Sequence, residues 1–172
     1  MSYLNNKEIV ARQEGTHQFD RLLYNMKQSP GFLPTEYVDV TVSSDEILAL
    51  NATPKTVVSA PGAGLVTIFQ GAFLFLDYNS AAYAGIAADE DLSFKYTDDS
   101  GLEVGACEAT GFLDQTADQI RYTPVKATAA ITPVANAALV LHMATGEITT
   151  GDSPLYVRVF YSVIPASLPY VG

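Results

Sequence analysis

From Thr35 onward, apolar residues recur at every second position in short runs, and Gly, Pro, Asn, Asp and Ser cluster between the runs. In residues 37–42, Val38, Val40 and Val42 alternate with Tyr37, Asp39 and Thr41. In residues 92–97, Leu92, Phe94 and Tyr96 share one parity, and in residues 155–164 Leu155, Val157, Val159 and Tyr161 oppose Tyr156, Arg158 and Phe160. A pleated strand sends alternate side chains to opposite faces, so this period marks half-buried strands.

The stretch 47–70 reads as strand, turn, strand, turn, strand. Asn51 to Pro54 supplies one reversal, because Asn tolerates unusual backbone angles and Pro fixes φ. Pro61-Gly62-Ala63-Gly64 supplies the next. On this reading residues 46–50 and 56–60 form a hairpin, with residues 43–45 as the turn before it. Residues 65–78 make one long strand in which Gly71 marks a bulge or bend. Phe73, Leu74, Phe75 and Leu76 are apolar on both faces, so this strand is central or lies under another subunit.

Beyond it, 79–85 is a loop and 89–91 (Asp-Glu-Asp) an acidic turn whose carboxylates are expected in solvent. Residues 98–101 turn on a Gly able to take positive φ, and 102–109 form a strand. A short helix or loop is expected over 111–118, an extended piece over 119–125, a strand over 136–143 and a polar loop over 144–154. The total is roughly eight to ten short strands with almost no helix, the pattern of a β-sandwich or barrel. Long strands joined by long connections favour an all-β, jelly-roll-like sandwich. No internal repeat points to a propeller or solenoid.

Residues 1–34 differ from this β-domain of residues 35–172. Asn5 or Asn6 is placed to cap a short helix that Gly15-Thr16 breaks. Phe19, Leu22, Leu23 and Met26 then recur at helical spacing, and a Pro- and Gly-rich linker carrying Phe32 ends the segment. Such an arm is too short to fold alone. Its apolar side chains, Phe19, Leu22, Leu23, Met26 and Phe32, are the candidate partner-binding residues, docking on the chain's own β-domain, on a neighbouring subunit or on a surface the protein decorates.

Composition narrows the function classes. Hydrophobic residues make up 48% and charged residues 16%, too apolar for a disordered chain and sparing of charge for an exposed monomer. The net charge is −10. Lys7, Arg12, Arg21 and Lys27 against Glu8, Glu14 and Asp20 leave the arm at +1 and the remainder at −11. Without a basic cluster, direct nucleic-acid binding is not expected. Cys107 is the single cysteine, so no intrachain disulfide forms. The N-terminus lacks the pattern of a signal peptide, and no apolar run of about 18 residues spans a bilayer.

Catalytic patterns are thin. His17 and His142 are far apart, no G-x-S-x-G elbow occurs, and Cys107 sits among acidic neighbours that disfavour a thiolate. One Cys and two distant His do not make a zinc site. The acidic turns at 89–91 and 98–99 lack an EF-hand spacing. No Trp offers a sugar platform for glycoside hydrolysis, and no Gly-rich loop follows a strand to cradle phosphate. No catalytic residue, metal or cofactor is expected.

The run ILALNATPKTVVSAPGAG (residues 47–64), with its pieces ALNATP and APGAG, and the closing GDSPLYVRVFYSVI (residues 151–164) resemble the β-domain of tailed-bacteriophage accessory virion proteins of the capsid decoration or cement type. The resemblance implies a non-enzymatic structural protein. It would bind the major capsid protein lattice as a homotrimer, reside in the virion head, be assembled in the host cytoplasm, and touch neither nucleic acid nor membrane. The arm lies outside the matching pattern. A neck, tail or head-fibre component with a receptor- or glycan-binding jelly roll is the alternative.

Overall fold

A computed structural model describes residues 35–126, 134–144 and 148–167. Residues 1–34, with Phe19, Leu22, Leu23, Met26 and Phe32, lie outside the described residues, as does His17.

The described chain runs β1 (Glu36–Val42), α1 (Ser44–Leu48), β2 (Lys55–Val58), β3 (Leu65–Leu76), β4 (Asp91–Tyr96), β5 (Glu103–Glu108), β6 (Gln119–Thr123), β7 (Leu139–Met143) and β8 (Leu155–Pro165). The strands form two four-stranded antiparallel sheets, ordered β1-β8-β3-β6 and β2-β7-β4-β5. First pairs with last, second with seventh, third with sixth and fourth with fifth. This is one long hairpin rolled into two layers, the jelly-roll arrangement expected from the spacing of the strands.

Alternation builds the core as read from the chain. Val38, Val40 and Val42 of β1 and Leu155, Val157 and Val159 of β8 point between the sheets, where Leu92, Phe94 and Tyr96 of β4 and Leu139, Leu141 and Met143 of β7 meet them. The Tyr96 hydroxyl crosses the core and donates to the Thr67 carbonyl at 2.5 Å, so a buried polar group is satisfied.

The bulge in β3 decides what goes inside. Phe69 pairs with Tyr161 and Gly71 with Phe160, which leaves Gln70 as an extra residue. Gly71 has φ 141°, and a Cβ there would lie 2.7 Å from the Tyr122 hydroxyl. The shift in phase turns Phe69 inward onto Phe94, with ring centroids 5.0 Å apart, while Phe73 and Phe75 turn outward. Gly105 makes room for this stack, since a Cβ there would sit 2.6 Å from Phe69 Cε1.

Four local expectations are corrected. Residues 46–50 are not a strand: α1 occupies 44–48. Ser43 and Glu46 form a reciprocal capping box, with Ser43 N–H donating to Glu46 Oε2 at 2.9 Å and Glu46 N–H to Ser43 Oγ at 3.3 Å. Ile47 and Leu50 are buried just as strand residues would be, so the apolar pattern alone does not separate the two conformations. There is consequently no 46–60 hairpin; β2 pairs with β7 instead. Glu90 of the acidic turn is fully buried rather than solvated. Gly101 does not adopt positive φ; Thr97 does, at 70°, and Gly101 is required because a Cβ would overlap the Tyr96 carbonyl.

The GDSP segment before β8 is a structural lock. Asp152 accepts from the Ser80 and Ala81 N–H groups at 3.1 and 2.8 Å, and from the Ser80 hydroxyl and the Asn79 amide. Ser153 Oγ accepts from the Asn79 N–H, and its carbonyl accepts the hydroxyl of buried Tyr83. Burial, with Asp152 next, pushes the Tyr83 phenol far above its ordinary range. Gly151, at φ 138°, lies flat against the Tyr83 ring.

Gly151→Ala combines a strained φ with overlap on that ring, and is expected to cost about 2–4 kcal/mol in urea unfolding. Gly64→Ala, at φ 75° with open space around it, is expected to cost only about 1–2 kcal/mol. Equal losses would reject the packing role given to Gly151. The Ser80 hydroxyl, then the Ala81 and Ser80 N–H groups, hold the Asp152 carboxyl below its ordinary range. Its folded pKa is thus the depressed one, so its contribution is present above the unfolded value and lost as pH falls through the folded value. The Ser80 and Ala81 amide proton resonances should titrate together with a midpoint below about 3.9; a midpoint at or above that value would contradict the lock.

Candidate interaction face

The outward side of the β1-β8-β3-β6 sheet is where the molecule departs most from an ordinary soluble surface. Outward positions of a solvated sheet are normally polar. Here antiparallel register lines up ring-bearing residues across all four strands. Thr41 of β1 pairs with Tyr156 of β8, which pairs with Phe75 of β3, which pairs with Ile120 of β6. In the next row Asp39, Arg158, Phe73 and Tyr122 follow one another across the same strands. Tyr37 pairs with Phe160 in the row after that, beside the Gly71 bulge.

These side chains remain open. Exposure is 62% for Ile120, 60% for Tyr37, 55% for Tyr122, 43% for Tyr156, 42% for Phe73 and 36% for Phe75. The rings contact one another along the face: Phe73–Tyr122 centroids are 5.1 Å apart, Phe73–Phe160 5.9 Å, Phe75–Tyr156 6.2 Å and Tyr37–Phe160 6.4 Å. Cross-strand aromatic pairs of this kind add about 0.2–1 kcal/mol each, which helps hold the register while leaving their outer surfaces wet.

Charge on the face cancels. Arg158 donates through Nε and Nη2 to the two oxygens of Asp39, both at 2.7 Å, and its guanidinium lies 4.6 Å from the Tyr37 ring centroid. Hydrogen bonding to Arg158 holds the Asp39 carboxyl below its ordinary range. Both groups are exposed, so the pair orders the face more than it stabilises the fold. A shallow groove of about 480 Å³ runs between this pair and the Phe73, Phe75 and Tyr156 rings. A smaller cleft of about 230 Å³ opens where β1 and β2 border the two sheets, lined chiefly by Val38, Val57, Val58, Tyr161 and Val163.

The side chains capable of chemistry are placed apart. His142, on β7 opposite Ser93, is 5% exposed, and burial, then Lys95, lowers its pKa. Cys107 lies half-buried on β5, where burial raises the thiol pKa. Asp98 accepts from the Ser100 hydroxyl and N–H and closes its own turn. Asp91 is raised by burial and by Glu103. Among the described residues no three His, Cys, Asp or Glu side chains are grouped to hold a metal ion, and no helix is long and apolar enough to cross a membrane.

The face was only partly visible in the chain. Phe73 and Phe75 stand out because their strand is apolar on both sides, and alternation separates Tyr156, Arg158 and Phe160 from the core set. Nothing local says that Tyr37, Ile120 and Tyr122 join them. That follows from which strands are neighbours.

No protein-family model and no curated protein matches the chain. Among solved structures, the cyanophage Pam1 capsid asymmetric unit is similar, with a TM-score of 0.41 and 17% sequence identity, over 78% of this chain and 90% of that one.

Proposed function

We propose that this protein is a non-enzymatic structural component of a phage virion, a decoration or cement protein that binds the major capsid lattice as a homotrimer. The carrying observation is the ring-bearing sheet face on a rigid jelly roll: a surface suited to permanent contact. It is supported by the resemblance carried by ALNATP, APGAG and GDSPLYVRVFYSVI. The non-enzymatic reading is supported by the placement of the reactive groups. His142 is enclosed, Cys107 is biased toward the neutral thiol, and the prominent carboxylates Asp39 and Asp152 are engaged in structural hydrogen bonds.

The mechanism is mechanical. Apolar surface buried between subunits contributes about 25 cal/mol per Å². Phe19, Leu22, Leu23, Met26 and Phe32 of the arm anchor the trimer to the capsid or to its neighbours. Repetition over a lattice converts modest single contacts into strong attachment. The groove beside Asp39 and Arg158 favours one second reading, a neck, tail or head-fibre component whose jelly roll binds a receptor or glycan.

Quantitative mass spectrometry of virions carrying this chain separates the two. Copies on the order of hundreds per particle are expected for a lattice protein, and about a dozen or fewer for a neck or tail component; absence from the particle rejects both. Deleting residues 1–34 is expected to leave a folded, soluble β-domain, with a β-type circular dichroism spectrum, that no longer binds particles stripped of the protein. Undiminished binding of the deletion variant would reject the anchoring role of the arm.

A further inference from the structure

We infer that the aromatic face of the β1-β8-β3-β6 sheet is covered by a second copy of this chain, so that it is the contact holding the homo-oligomer together. The inference deepens the structural-protein reading and rests on it only for the number of copies in the ring.

Size comes first. A free aromatic or large aliphatic side chain presents roughly 200 Å². With the exposures of Tyr37, Phe73, Phe75, Ile120, Tyr122 and Tyr156, the face leaves on the order of 600 Å² of ring and aliphatic surface open. That is the upper end of what monomers leave open, about 300–600 Å². It approaches the roughly 800 Å² per partner of a stable protein–protein contact. A small ligand in the groove would leave most of it wet.

Charge selects the partner. The chain carries −10, so copies repel one another wherever carboxylates meet. On this face the charged side chains among the ring rows are Asp39 and Arg158, and they neutralise each other. Two copies can therefore approach here without opposing like charges, whereas a partner chosen for basic charge gains nothing from a neutral surface. Shape agrees with this. The rows lie across four paired strands and present a broad surface that another protein domain can cover. In a ring, the face of each copy meets a different surface of the next, so one substitution weakens every contact at once.

The test is multi-angle light scattering of the full-length protein over a micromolar dilution series. The wild type is expected at a multiple of 18.4 kDa. Tyr122→Arg and Phe73→Ser, both on exposed side chains, are expected to keep the wild-type circular dichroism and weaken association at least tenfold. Val125→Ser, which removes an exposed apolar side chain outside the paired rows, is the control and should leave the mass unchanged. A wild-type monomer at micromolar concentration overturns the inference and leaves the face to the capsid or to a glycan. So does an oligomer untouched by folded Tyr122→Arg and Phe73→Ser variants, because it is then held elsewhere. If the protein proves absent from virions but the face variants dissociate it, the virion reading falls and this inference stands.

Discussion

The pairing of β3 with β8 is the interaction on which the rest of the molecule depends. Its ladder joins Leu65 to Pro165 at one end and Leu76 to Leu155 at the other, the longest among the described residues. One side of it contributes Leu74, Leu76, Leu155, Val157 and Val159 to the core. The other side contributes Phe73, Phe75, Tyr156, Arg158 and Phe160 to the exposed face. Core and face are thus two sides of one set of backbone hydrogen bonds. A slip of one residue would exchange them, since every side chain would change face. The Gly71 bulge applies that same exchange deliberately, at one point, to bring Phe69 inside.

Devices that hold this register lie at the ends of the ladder. Asp152 and Ser153 tie the 79–81 segment to the start of β8, and Tyr83 packs against Gly151. On the far side, β1 is kept beside β8 by seven paired residues, and the exposed Asp39–Arg158 bridge orders their outer surface. A scaffold fixed in this way loses little conformational entropy when its face is covered. That is the physical reason a rigid sheet suits contact better than a loop of the same composition.

The groups with candidate chemistry are placed apart. Burial shifts His142 and Cys107 toward their neutral forms, and neither belongs to a metal-sized cluster among the described residues. Asp152 carries the conspicuous Gly-Asp-Ser-Pro motif, yet its oxygens are taken up by the loop it secures. Large exposed hydrophobic side chains concentrate instead on the β1-β8-β3-β6 face.

Much of this was legible in the chain because alternation is a local property. Val38, Val40 and Val42, or Leu92, Phe94 and Tyr96, declare their strand and their face within a few residues, and the glycines and prolines between runs declare the turns. Residues 43–50 were not legible from apolar pattern alone. Ile47 and Leu50 suit a strand or a helix, and the capping pair Ser43 and Glu46 decides for the helix. By itself the sequence determined the all-β character of the domain from residue 35 onward, most of its strands, most of its core and its acidic charge. Only the tertiary structure decided that Tyr37, Phe73, Ile120, Tyr122 and Tyr156 form one continuous face. Strand parity is set by neighbours in the chain, but the order and register of strands are set by contacts between residues up to more than a hundred positions apart, as between Asp39 and Arg158.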